Sequence, residues 1–305
     1  MYQRIFSFLI IVSMLIGLML GPEYGEFFRP SVPFLLALII FLMSLSSDIE
    51  RIDEITKNKD VILIVLILNF LLMPILCWIL AKVFLFDHPD LATGLILVGC
   101  APIAVGTTLW IGLLDGDVPL VITLVGVTTF LTPILLPILM LLLAGTFVKV
   151  NALYVFKDLV FLIVIPVSLS IFIKKFSKIQ KESIKPYSSF LSGLALLIIV
   201  FTIIAVNVPN IQKFDAFLSF KLSLVSFIHV FFGFLIGLLI SLSRRYGPIK
   251  RDILLYTSGS IKNMGLAMTI AILNFKTVTS LPAAVDTVFQ VVLAVLVFNT
   301  LRYLR

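Results

Sequence analysis

The stretch Ser258-Gly259-Ser260-Ile261-Lys262-Asn263-Met264-Gly265 decides how the whole chain is read. It lies inside the apolar segment 253–275, with Arg244, Arg245, Lys250 and Arg251 before it and the lone Lys276 after it. A helix rising about 1.5 Å per residue from Arg251 puts Lys262 roughly 16 Å deep, near the middle of a bilayer about 30 Å thick. An ammonium there costs at least about 2.5–3.5 kcal/mol, so it needs a cavity or a partner. Two glycines, two serines and an asparagine lie around it. The expectation is a helix that breaks here, its freed backbone groups and short polar side chains lining a wet site rather than lipid. A midplane charge on an interrupted helix is how a transporter's binding site looks in sequence.

The rest of the chain supports a membrane setting. Apolar residues make up 61% of the 305 and charged residues 13%, with a mean hydropathy of +1.20. A soluble domain is near half apolar and about a quarter charged. The net charge of +7 does not point to nucleic acid, because the lysines and arginines fall between apolar runs, as membrane-flanking charges do. Cys77 and Cys100 both lie inside apolar runs, and their spacing gives no disulfide framework, zinc site or redox pair. No nucleophile–base pair stands at membrane depth, so neither an enzyme nor a cofactor is expected. Arg4 followed by the apolar run 5–20 has no small-residue cleavage site before Gly21-Pro22-Glu23, and reads as an uncleaved first span.

Ten apolar stretches follow one another, at about 5–20, 31–47, 60–84, 91–114, 117–144, 152–173, 187–208, 219–243, 252–275 and 280–302. The connections are too short for a soluble domain. The expectation is an all-α membrane protein, one transporter domain over 1–305, embedded in the lipid bilayer of the cell's inner (plasma) membrane. With the N-terminus inside, fifteen of the 23 lysines and arginines flank the inner face and seven the outer, which places both termini in the cytoplasm. Lys262 belongs to neither side.

The fourth stretch is the other unusual one. Pro102 removes a backbone donor in mid-helix, and Gly99 and Gly106 loosen either side. Thr107 and Thr108 would then open a second half-helix, its backbone N–H groups free to meet an anion. Interrupted spans occur fourth and ninth, five apart, with Gly106 and Gly265 in matching places. Five is odd, so the second half is inverted relative to the first, giving repeats of about 1–148 and 149–305. A proline kink of purely structural use is the plainer reading of span four alone.

Several motifs resemble the bile acid:sodium symporter superfamily over essentially the whole chain. Leu97-Val-Gly-Cys-Ala-Pro102, Gly106-Thr-Thr108, Leu131-Thr-Pro-Ile-Leu-Leu-Pro137 and Leu143-Ala-Gly145 resemble its fourth and fifth spans. Asn69-Phe-Leu-Leu-Met-Pro74 is similar to the third, His229 to Gly237 to the eighth, and Asn263-Met-Gly265 to the ninth. The resemblance implies ten transmembrane helices in two inverted five-helix repeats. Spans one, two, six and seven would form a panel domain and the others a core, with broken spans four and nine crossing.

The departures from that pattern are chemical. Sodium-coupled members carry a glutamate and a glutamine four residues apart before the ninth-span Asn-x-Gly; this chain has Ser258 and Lys262. Thr107-Thr108 stand for the family's Ser-Asn, Asn69 for a third-span glutamine, and Val121 and Val125 for two polar sodium ligands. Losing the acid and two hydroxyls and gaining a cation implies that both sodium sites are gone. The Lys262 ammonium would take the vacated seat, with Ser258 and Asn69 beside it. A lysine that gains and loses its proton there would couple transport to protons; one held permanently charged would make the protein a uniporter.

Other residues admit plainer readings. His229 in mid-span is expected to be a packing residue, Asp286 to lie solvated near the outer end, and Gln290, one turn on, to reach the core. Cys100 invites a metalloid reading, although a buried thiol usually behaves as a small hydrophobe. The function expected is secondary transport of a small organic anion, bound by Thr107, Thr108, Asn263, Gly106, Gly265 and Gln290. A non-transporting receptor or scaffold of the same fold, and an arsenite efflux carrier, are the alternatives.

Overall fold

The computed structural model describes residues 2–46, 57–176, 181–241 and 248–304, and among them every regular element is helical. Helices α1 (Tyr2–Leu20), α2 (Pro22–Phe28) and α3 (Val32–Ser46) come first. Next, α4 (Lys59–Ile67) runs through a π turn at Leu68–Leu72 into α5 (Met73–Phe84). The fourth stretch divides into α6 (Pro89–Cys100) and α7 (Thr107–Leu113), and α8 (Val118–Leu143) follows. A second π turn joins α9 (Ala152–Leu159) to α10 (Ile165–Phe176). The long helices α11 (Lys181–Ile211) and α12 (Ala216–Ser241) lead to the second divided stretch, α13 (Pro248–Thr257) and α14 (Met264–Asn274). The last is α15 (Leu281–Leu304).

Each of the ten apolar stretches therefore carries a helix, with breaks in the fourth and ninth. Seven described helical segments are long and apolar enough to cross a membrane, and Phe8–Leu20, Pro89–Cys100 and Met264–Asn274 are shorter apolar helices. Arg51, Lys178, Arg244, Arg245 and Arg305, counted among the inner basic residues, lie outside the described residues.

Packing places α11 against α1, α2 and α3, and α3 against α10. Elsewhere α5 packs on α6, and α12 packs on both α13 and α15. One apolar cluster gathers Ile103, Ile111, Leu120, Val121, Leu124, Val125, Val230, Tyr256 and Ile261 around the two breaks. Val121 and Val125 are thus packed among apolar side chains beside the breaks. Large apolar side chains such as Phe130, Phe34 and Leu142 stay exposed, as they do when lipid rather than water is the solvent.

Candidate functional site

Each break has a local cause. Helix α6 ends because Pro102 cannot donate and Ala101 turns extended, at φ −65° and ψ 149°. Helix α13 ends two residues before Gly259, whose φ of +96° is the left-handed turn that stops helices and suits glycine. A Cβ there would also sit 2.3 Å from Met73 Cγ. Helix α14 restarts on Asn263, whose Oδ1 accepts from Leu266 N at 3.1 Å as an N-cap.

The two extended segments meet as a short antiparallel bridge between Ile103 and Lys262. Asn263 N donates to Pro102 O at 2.8 Å, and Ala104 N donates to Ile261 O at 3.0 Å. The interrupted spans therefore cross at their breaks, each satisfying backbone groups the other leaves free. Gln290 of α15 completes the clip. With its amide oriented to satisfy both groups, it donates to Lys262 O at 3.3 Å and accepts from Lys262 N at 3.2 Å.

The Lys262 side chain, 1% exposed, turns back into the crossing. Its Nζ donates to Gly99 O at 2.7 Å, Ala101 O at 2.9 Å and Asn69 O at 3.0 Å. An ammonium has three donors, and here three carbonyls take them. These carbonyls are free for identifiable reasons. Gly99 and Ala101 stand where α6 has run out, at its negative dipole end. Asn69 O is released because Met73 N bonds to Leu68 O across the π turn, while Pro74, next in line, has no N–H. Among the described residues no carboxylate forms an ion pair with Lys262, so its direct contacts are carbonyl dipoles.

The remaining site residues are placed as follows. Asn69 contributes its main chain to the ammonium; its Nδ2 donates to Ala101 O at 3.3 Å, and its buried Oδ1 has no partner. Ser258 is not brought to the ammonium. Its hydroxyl donates to Gly233 O on α12 at 2.5 Å. Gly106 faces open space, whereas Gly265 lies against Leu36 of α3 and Leu196 of α11. Thr107 is buried with an unpartnered hydroxyl, and the Thr108 hydroxyl donates to Val105 O at 2.8 Å.

Two expectations are corrected here. The amides of Thr107 and Thr108 are not free for an anion, because they donate to Ala104 O at 3.1 Å and Val105 O at 2.9 Å in a tight entry turn. Asp286 is not solvated: both it and His229 are fully buried, and His229 Nδ1 lies 2.5 Å from Asp286 Oδ2. Packing alone does not describe His229, and nothing in the local pattern of either span reveals the pairing. Two surface clefts, one lined by His88, Lys213, Asp215 and Lys221 and the other by Lys149, Tyr154, Lys157 and Asp158, include none of the crossing residues.

Comparison with known proteins now fits the geometry. The family model for the sodium bile acid symporter family matches residues 33–214. The chain belongs to that family. Within this symporter family it is similar to YbaS of Bacillus subtilis, 24% identical over 290 residues, covering 93% of this chain and 92% of the relative. It is also similar to the sodium-dependent transporter YocS of the same organism, 23% identical over 271 residues, 88% of this chain and 82% of the relative. The arsenical-resistance protein Acr3 of Corynebacterium glutamicum is 31% identical over a shorter 119 residues, 35% of this chain and 32% of the relative.

Proposed function

We propose that this family member carries a small organic anion across the cell's inner membrane by alternating access, without sodium, the Lys262 ammonium standing where related carriers hold the ion. The observation that carries this reading is the seat itself: three main-chain carbonyls within 3.0 Å of Nζ and no paired acid. Hard monovalent cations take oxygen ligands of this kind, and a tethered ammonium satisfies them permanently. All three N–H donors are engaged, which favours a fixed charge over a lysine that sheds its proton in each cycle. The charge, uncompensated by any carboxylate in contact, draws an anion toward the crossing.

The anion would bind where the breaks face α3 and α11, near Asn263, Gly265 and the open flank of Gly106 and Thr108. Two inverted repeats, with α1–α3 and α9–α11 rocking against α4–α8 and α12–α15, supply the access change. Both termini lie on the cytoplasmic side in this arrangement. Metalloid carriage finds support in the likeness to Acr3, but Cys100 is fully buried, and capture by a thiol needs access.

The experiment is counterflow of small organic anions in proteoliposomes, with sodium present or replaced by choline. The expected outcome is solute-specific flux whose rate changes less than about twofold between the two media. Absence of flux for any anion, with folded protein, favours the receptor or scaffold reading instead.

A further inference from the structure

We infer that His229 and Asp286 form a proton-binding site, separate from the lysine seat, that couples anion movement to protons. This rests on the transporter reading above and names its coupling ion. The two side chains come from α12 and α15, are both fully buried, and share one contact of 2.5 Å between Nδ1 and Oδ2. The pair is left half satisfied, since neither His229 Nε2 nor Asp286 Oδ1 has a hydrogen-bond partner. The hydroxyl of Ser226, one turn before His229, is likewise unpartnered. A purely structural buried pair persists when its leftover lone pairs are taken up by neighbours. Here an imidazole nitrogen and a carboxylate oxygen remain open, and either accepts a proton without breaking a bond.

The position of the pair gives that proton something to act on. His229 and Gly233 are one turn apart on α12, and Gly233 O accepts the Ser258 hydroxyl from the span-nine break. A Cβ on Gly233 would lie 2.6 Å from Ser260 Cα, so this helix rests directly on the break. Asp286 and Gln290 are one turn apart on α15, and Gln290 holds both backbone groups of Lys262. The pair therefore ties together, one turn away, the two helices that grip the crossing.

The charge arithmetic follows. With a neutral imidazole donating to the carboxylate, the pair carries one negative charge, against one positive charge on Lys262. Uptake of a proton from water on one face makes the pair neutral and leaves the lysine's charge unopposed. Anion binding and proton binding then strengthen each other, as linkage requires, and release of both on the far face completes a symport cycle. The titratable groups facing the pair are few. Cys77 of α5 lies within electrostatic reach of Asp286, and also of Lys262 and Cys100. Tyr256 of α13 spends its hydroxyl on Ala294 O at 3.2 Å. Helix α14 and the 188–211 part of α11 carry no ionisable side chain, and on α6 the only other is Asp90, at the far end beside Lys276.

The test begins without solute. Infrared pH-difference spectra of the protein in phosphatidylcholine vesicles, from about pH 5 to about pH 9, are expected to show a buried carboxyl or imidazole titrating. The band is lost in Asp286→Asn and again in His229→Gln. A silent wild-type spectrum, or a band that survives both substitutions, overturns the site. In counterflow, an inward pH gradient is expected to accelerate wild-type uptake at least about fivefold, while both variants keep exchange and lose the acceleration. Gradient-insensitive flux in the wild type overturns proton coupling while leaving the transporter reading intact. A titrating pair in vesicles that move no solute supports the proton site and overturns the transporter reading.

Discussion

Lys262→Met abolishes transport and lowers the apparent melting temperature in detergent by on the order of 10 °C. Methionine matches the length and apolar stem of lysine but donates nothing, so the carbonyls of Asn69, Gly99 and Ala101 lose their shared partner. An orphaned buried polar group costs about 1–3 kcal/mol. Ala101 O keeps the Asn69 amide at 3.3 Å, so two are orphaned, and the relief of the ammonium's desolvation leaves a net loss of about 2–4 kcal/mol. Lys262→Ala separates the charge from the stem, since it leaves a cation-sized space facing the same carbonyls. Methylammonium is expected to restore part of the stability of the alanine variant and none of the methionine variant, read by fluorescence-detected melting.

Gly259→Ala is the second large effect, expected to destabilise the fold by about 2–5 kcal/mol and to reduce flux with it. Two terms add. A φ of +96° costs a non-glycine residue roughly 1–2 kcal/mol, and overpacking a tight core adds about 1–3 kcal/mol. The new methyl would press on Met73 Cγ at 2.3 Å, and Met73 follows directly on the π turn that frees the Asn69 carbonyl. Damage therefore propagates to the lysine seat. The double variant Gly259→Ala, Met73→Ala makes room and is expected to recover the overpacking part but not the backbone part, which a melting series resolves.

The chain spells out the crossing more fully than the seat within it. Gly259 and Pro102 stop helices for local steric reasons, Asn263 restarts one by capping, and Lys262 stands out as the basic residue on neither flank. What stayed hidden is mostly non-local. Asn69 reads as a side-chain ligand, yet it is the main-chain oxygen that reaches the ammonium. The spacing from Asn69 to Pro74 is in plain view, but a π turn leaves no trace in hydrophobic periodicity. Asp286 lies close to the start of its span and therefore reads as solvated. Its burial follows from His229, 57 positions away in sequence and adjacent only after α12 and α15 pack. The Thr107 and Thr108 amides looked free because their entry turn, through Ala104 and Val105, depends on a break length that composition does not fix. Val121 and Val125, which in the sequence offer no side-chain oxygen, pack in the cluster beside the crossing.

The most direct measurement is the melting temperature of the wild-type protein titrated with sodium chloride against choline chloride at constant ionic strength. A ligand that binds the folded state at a hundred times its Kd adds about 2.7 kcal/mol, so an intact sodium site is easily seen. With the Lys262 ammonium seated on the three carbonyls, sodium is expected to add nothing beyond choline. A saturable, sodium-specific rise in the wild type would contradict the account.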